Sequence, residues 1–77
     1  MSISNEELDA VILASASANW QKVAVVISTV FDALAQKGIT YPAQGIAERI
    51  YVLVAEDKLD SSGNIRRWRD GNVRVKA

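Results

Sequence analysis

The segment ANWQKVAVVISTVFDALAQK, residues 18–37, decides the fold that the sequence predicts. Its apolar side chains recur at three- and four-residue spacing, the pattern of one buried helical face. Gly38 follows as a terminator, because glycine readily adopts the left-handed conformation that ends many helices. We therefore expect this helix to organise the core. Its predicted apolar stripe consists of Trp20, Val23, Ala24, Ile27, Val30, Phe31 and Leu34.

Two further helices are predicted on either side of this segment. Ser4 and Glu7 have the spacing of a capping box, in which each side chain bonds the other residue's amide, so the first helix spans about residues 5–15. The small polar run at residues 15–19 indicates a break before the second helix. Pro42 suits the first turn of a third helix, which we place at about residues 42–57.

The C-terminal segment has a different pattern. Asp70-Gly71 is a strong signal for a two-residue turn, which predicts a hairpin over about residues 65–76. That turn would place Trp68 opposite Val73, Arg67 opposite Arg74, and Arg66 opposite Val75. Residues 59–61 are expected to add a third short strand. Residues 39–40 are a further candidate strand, which would give the order ααβαββ.

The chain is therefore expected to form one small α+β domain over residues 1–77, mainly helical. Three helices precede a small antiparallel hairpin or three-stranded sheet, which resembles the end of a winged helix. A winged helix-turn-helix has two helices between its first strand and its wing. Between Gly38 and Leu59 there is room for one, so we expect a winged-helix-like shape without a complete helix-turn-helix.

Composition argues against catalysis. The 77 residues include no histidine and no cysteine, which removes the commonest general base, metal ligand and thiol nucleophile. The carboxylates of Glu6, Glu7 and Asp9 suit the first turn of a helix, where negative charge meets the helix dipole favourably. The four glycines form no phosphate-binding motif. The sequence predicts no enzyme activity, no catalytic residue, no metal, no cofactor and no small-molecule substrate.

The sequence predicts neither a membrane-spanning segment nor a secretion signal. The N-terminal residues are acidic and lack the basic start of a signal peptide. The most apolar stretch, residues 23–35, is shorter than the roughly 20 residues that span a bilayer. We expect a cytoplasmic protein.

The net charge of zero conceals an uneven distribution. Residues 1–57 contain three Lys/Arg and seven Asp/Glu, whereas residues 58–77 contain six Lys/Arg and two Asp/Glu. The basic part coincides with the predicted hairpin. The candidate interaction surface consists of Arg67, Trp68, Arg69, Arg74 and Lys76. Trp68 would either offer a stacking surface to a partner or pack the sheet onto the helices, with the arginines solvated or paired within the chain.

A family resemblance follows from residues spread over most of the chain. The residues Arg49-Ile50, Leu53-Val54, Lys58-Leu59, Gly63, Arg67-Trp68 and Val73-Arg74-Val75 resemble a bacterial domain family of unknown function. The segments around Leu8 and Trp20 are similar to its helical half. This sequence departs from the family at Asn72, where a glutamate is expected. The resemblance implies a fold and no activity.

The sequence supports two expectations about function. The first is a non-catalytic module that contacts a protein, or a second copy of itself as a homodimer, through the charged hairpin and the spare apolar residues Val25 and Val52. The alternative is a small winged-helix-like protein that binds nucleic acid, with Arg67, Arg69 and Arg74 on phosphates. A pI near 6.1 disfavours the alternative, because nucleic-acid-binding domains are usually basic.

Overall fold

Three helices account for much of residues 3–76, the part of the chain that the computed structural model describes. They are α1 (Asn5–Ser15), α2 (Val23–Gln36) and α3 (Ala43–Ala55). α1 begins as predicted, because the Ser4 hydroxyl accepts a hydrogen bond from the Glu7 amide at 3.1 Å. The Glu7 carboxylate accepts from that same hydroxyl, and not from the Ser4 amide as expected. Positions 1, 2 and 77 of the predicted domain lie outside the described residues.

The second helix begins five residues later than the predicted start at residue 18. Gln21–Lys22 form a short strand, β1, and their backbones pair with the C-terminal part of the chain. The first two amides of α2, those of Val23 and Ala24, donate to the carbonyls of Gly71 and Trp68 at 3.0 and 3.1 Å. These carbonyls satisfy amides that a capping side chain would otherwise serve. The start of α2 therefore depends on residues far away in the sequence. Its end agrees with the prediction, since Gly38 has a φ of +77°.

Within residues 3–76 the strands form one antiparallel sheet in the order β1-β3-β2. β2 is Leu59–Ser62, which confirms the predicted third strand, and β3 is Asn72–Val75. The candidate strand at residues 39–40 does not form. The order of elements is α1-β1-α2-α3-β2-β3, not ααβαββ. One helix lies between Gly38 and Leu59, as expected, but the first strand lies at Gln21–Lys22 and not at residues 39–40. Two helices therefore lie between the first strand and the last pair.

The predicted two-residue hairpin at Asp70-Gly71 is also wrong. Residues 63–71 form a loop, and β3 pairs with β2 instead of with residues 65–69. Asp60 lies opposite Arg74, and Leu59 lies opposite Val75. The observed pairing sets opposite charges across the strands, whereas the predicted one set Arg67 against Arg74. Opposite charges across an antiparallel pair are stabilising and like charges are not.

The core lies between the three helices and one face of the sheet. Its buried residues are Leu8, Ile12, Val23, Val26, Ile27, Val30, Leu34, Ile39, Ile46, Ala47, Ile50, Leu53, Leu59 and Val73. Three members of the predicted stripe are absent from it, since Trp20 is 44% and Phe31 39% exposed and Ala24 is only partly buried. Trp20 precedes β1 and therefore is not part of the helix whose face it was expected to share. The architecture is α+β and mainly α. No helix among the described residues is both long and apolar enough to cross a membrane.

Candidate interaction surface

The connection between β2 and β3 folds into a tight basic turn. We call residues Arg66–Asp70 the arginine loop. The amide of Arg67 donates to the Asn64 carbonyl at 3.0 Å, and the amides of Asp70 and Gly71 donate to the Arg67 carbonyl at 2.9 and 2.8 Å. The Asn64 side chain also accepts from the Arg66 amide at 3.0 Å, as asparagine commonly does in turns. These bonds make the loop a defined structure rather than an extended strand.

Long-range contacts hold the arginine loop against the helices. The indole nitrogen of Trp68 donates to the Tyr51 hydroxyl of α3 at 2.8 Å. The Arg66 guanidinium lies 4.8 Å from the centre of the same Tyr51 ring, within the range of a cation–π contact. The ammonium group of Lys22 donates to the Arg69 carbonyl at 2.9 Å. Together with the bond from Ala24 to the Trp68 carbonyl, these contacts attach the loop to β1, α2 and α3.

The predicted surface residues separate into two groups. Arg67, Trp68 and Arg69 lie together in the arginine loop, where the loop residues line a depression of about 370 Å³. Arg74 and Lys76 lie instead in β3 and just after it, and both have partners within the chain. The first group is therefore the better candidate for contact with another molecule.

Arg74 and Lys76 serve the sheet. The Arg74 guanidinium donates to the Asp60 carboxylate at 3.2 Å and lies 4.4 Å from the Trp20 ring centre. Lys76 pairs with Asp57, and the hydrogen bond from its ammonium group raises the pKa of Lys76. Their charges are thus balanced within the chain.

Three other arginines show the same division between paired and unpaired cations. Arg49 of α3 donates two hydrogen bonds to the Asp9 carboxylate of α1, at 3.0 and 2.8 Å, and this raises the pKa of Arg49. Arg67 and Arg69, in contrast, are exposed and have no ion pair among residues 3–76. The face of α3 that is exposed beside the loop carries no cation. It consists of Gln44, Glu48, Val52 and Ala55.

The residues that position the loop could not be identified from the sequence. Tyr51 is 17 residues from Trp68, and Lys22 is 47 residues from Arg69, so no local spacing connects either pair. Trp20 was expected in the apolar stripe of the second helix, and not in contact with Arg74. Among residues 3–76, no group of three or more acidic side chains is arranged to hold a metal ion.

Comparisons of the chain with protein-family models, with curated proteins and with solved structures give no match. The resemblance to a bacterial domain family therefore stays a prediction.

Proposed function

We propose that this protein is a non-catalytic interaction module that contacts a partner protein through the arginine loop. One observation carries the proposal. Arg67 and Arg69 are exposed without a carboxylate partner in residues 3–76, whereas Arg49, Arg74 and Lys76 each have one. A cytoplasmic location belongs to the same proposal and is supported by the cysteine-free composition.

The surroundings of the loop support a protein partner. Trp68 is half-buried in the loop, and Tyr51 and Val52 are neighbours on α3, with Val52 36% exposed. Arginine and large aromatic residues are the types most enriched where proteins bind each other tightly. A patch of this kind combines apolar contact area with charge that selects the partner.

A second copy of the chain is one partner that this surface fits. The chain carries equal numbers of acidic and basic residues, so an acidic part of one copy can meet the basic loop of another. Sedimentation at several protein concentrations and salt concentrations tests this form of the proposal. We expect a rise in mass with concentration that weakens with salt and disappears in the double variant Arg67→Ala/Arg69→Ala. A monomer at every concentration would remove self-association.

A different partner is tested by comparing variants in cell extract. We expect one protein of the extract to crosslink to the wild type and to the Lys58→Ala variant. The same protein should not crosslink to the Arg67→Ala/Arg69→Ala variant. Lys58 is an exposed cation outside the loop, so its removal controls for charge. Equal crosslinking and equal mass for all three proteins would contradict the proposal.

Nucleic acid is the second candidate partner, and the element order favours it. Two helices precede β2 and β3, and the arginine loop joins those strands at the position of the wing in a winged helix. Titration with duplex and single-stranded DNA at low salt tests this function. Binding through the loop would weaken with salt at a logarithmic slope of about −0.9 per phosphate contact on duplex DNA. No binding, or binding unchanged in Arg67→Ala/Arg69→Ala, would exclude this site.

A further inference from the structure

We propose that the arginine loop binds side-chain carboxylates of a short acidic segment on the partner protein. The inference rests on the proposed function and names the chemical group that the loop recognises. A guanidinium presents a planar pair of donors that matches the two oxygens of a carboxylate. Arg49 already binds Asp9 in this manner within the chain, through two nitrogens on two oxygens.

The main chain of the loop supplies further donors. The carbonyl oxygens of Arg67, Trp68 and Arg69 all accept hydrogen bonds within the chain. The amides of Trp68 and Arg69, in contrast, donate to no acceptor within residues 3–76. Of the five main-chain carbonyls of the loop, only that of Arg66 accepts no hydrogen bond within residues 3–76. Two unbonded amides thus stand against one unbonded carbonyl, and an excess of main-chain donors favours an anionic ligand.

The loop is held in place before any ligand arrives. Trp68 is attached through its side chain to Tyr51 and through its carbonyl to Ala24, and the Arg69 carbonyl is attached to Lys22. A fixed main chain loses less conformational freedom on binding than a mobile one. The depression that it lines is shallow and open to solvent.

The limited extent of positive charge favours a short acidic segment over a long polyanion. Double-stranded DNA carries one negative charge about every 1.7 Å along its axis, so it needs cations spread over a wide face. Glu48 lies one helical turn from Tyr51 on α3, and the exposed face of that helix has no cation. Asp70 lines the depression as well and repels a second acidic group. A few carboxylates close to Arg67 and Arg69 fit this arrangement.

A peptide titration tests the inference. The probe is a terminally blocked peptide of six glutamates, and the matched control is the same peptide with six glutamines. We expect the glutamate peptide alone to bind the wild type. Its affinity should fall at least about tenfold in Arg67→Ala/Arg69→Ala, because a hydrogen bond to a charged group contributes about that factor or more.

Two single variants sharpen the result. Asp70→Asn removes the competing carboxylate, so it should bind the glutamate peptide several-fold more tightly than the wild type. Lys58→Ala removes one positive charge, as a single arginine substitution does, but leaves the loop intact. Its affinity for the glutamate peptide should therefore change by less than about twofold. Circular dichroism confirms that each variant keeps the helical content of the wild type.

Three outcomes would overturn the inference. They are absence of binding by the wild type, an equal loss in Lys58→Ala, and duplex DNA binding through the loop more tightly than the peptide. A partner lost from Arg67→Ala/Arg69→Ala in cell extract, together with no binding of the glutamate peptide, would leave the proposed function standing and refute its carboxylate chemistry.

Discussion

The helical body and the arginine loop are held together by different kinds of contact. The body comprises α1, α2 and α3, and its buried side chains are all apolar. The loop has no fully buried side chain, and it depends on hydrogen bonds and an arginine–aromatic contact with residues distant in the sequence. A periodic apolar pattern in the sequence specifies the helical body, whereas a few individual hydrogen-bonding and aromatic contacts specify the arginine loop.

This difference has consequences for tolerance to change. Apolar burial is shared among many residues of the body, so its stability is spread over the whole core. Each contact of the loop involves one donor and one acceptor, so single substitutions can detach part of it. Substitutions in the two regions should therefore differ in the size and in the location of their effects.

Shortening a central core residue should have the largest effect. Leu34→Ala removes a completely buried side chain from α2, and such changes cost about 2–5 kcal/mol through lost burial and the cavity that remains. A chain of this size has little stability to spare. Urea unfolding measures the change, with Val25→Ala as the control on the same helix. Val25 is 51% exposed, and its substitution should alter the free energy of unfolding by less than about 0.5 kcal/mol. Similar losses in both variants would contradict this assignment of the core.

In the connection between β2 and β3, which contains the arginine loop, the largest loss of stability is expected at Gly71, where main-chain atoms approach closely. A Cβ atom at this position would lie 2.5 Å from the Ile65 Cα and 2.6 Å from the Asn64 carbonyl oxygen. Both neighbours are main-chain atoms, so relief requires the loop to move. We expect Gly71→Ala to cost about 1–3 kcal/mol, the usual range for overpacking. The change should also shift the NMR signal of the Trp68 indole proton.

Gly38→Ala is the matched control for Gly71→Ala. Apart from its two chain neighbours, no residue comes within 4 Å of the Cβ that it would add, but the φ of +77° is unfavourable for alanine. We expect a loss of about 1 kcal/mol without movement of the Trp68 signal. If Gly38→Ala moves that signal and Gly71→Ala does not, the packing described for the loop is wrong.

The same contrast explains which parts of the structure the sequence could predict. Three helices, the Ser4 cap and the Gly38 terminator follow from local patterns, so their prediction required no knowledge of distant residues. The start of α2 was misplaced because carbonyls of Trp68 and Gly71, almost 50 residues later, bind its first amides.

The candidate site was predictable in composition but not in geometry. The cluster of arginines around Trp68 is visible in the sequence. The separation of Arg67 and Arg69 from Arg74 depends on strand pairing, and Asp70-Gly71 favoured a turn that the chain does not form. In this chain, pairing with β1 and β2 outweighs the local turn preference, because β3 is the central strand of the sheet.

Removing one hydroxyl from α3 should affect the loop more than the body. Tyr51→Phe keeps the ring below Arg66 but deprives the Trp68 indole of its acceptor. We expect a loss of about 1 kcal/mol, typical of one hydrogen bond whose donor stays partly buried. The Trp68 indole proton should also exchange faster with solvent, while that of Trp20 serves as the internal reference. Unchanged exchange at Trp68 would show that this bond does not hold the loop.

The smallest effect is expected at the partly exposed contact on the sheet. Arg74→Lys keeps a positive charge opposite Asp60 but removes the planar guanidinium that lies over Trp20. Surface ion pairs and exposed cation–π contacts each contribute about 1 kcal/mol or less, so the stability loss should be below about 1 kcal/mol. The fluorescence of Trp20 should change, and binding of the glutamate peptide should not, because Arg74 lies outside the loop. Weaker peptide binding in Arg74→Lys would extend the interaction surface from the loop onto the sheet and remove the division between them.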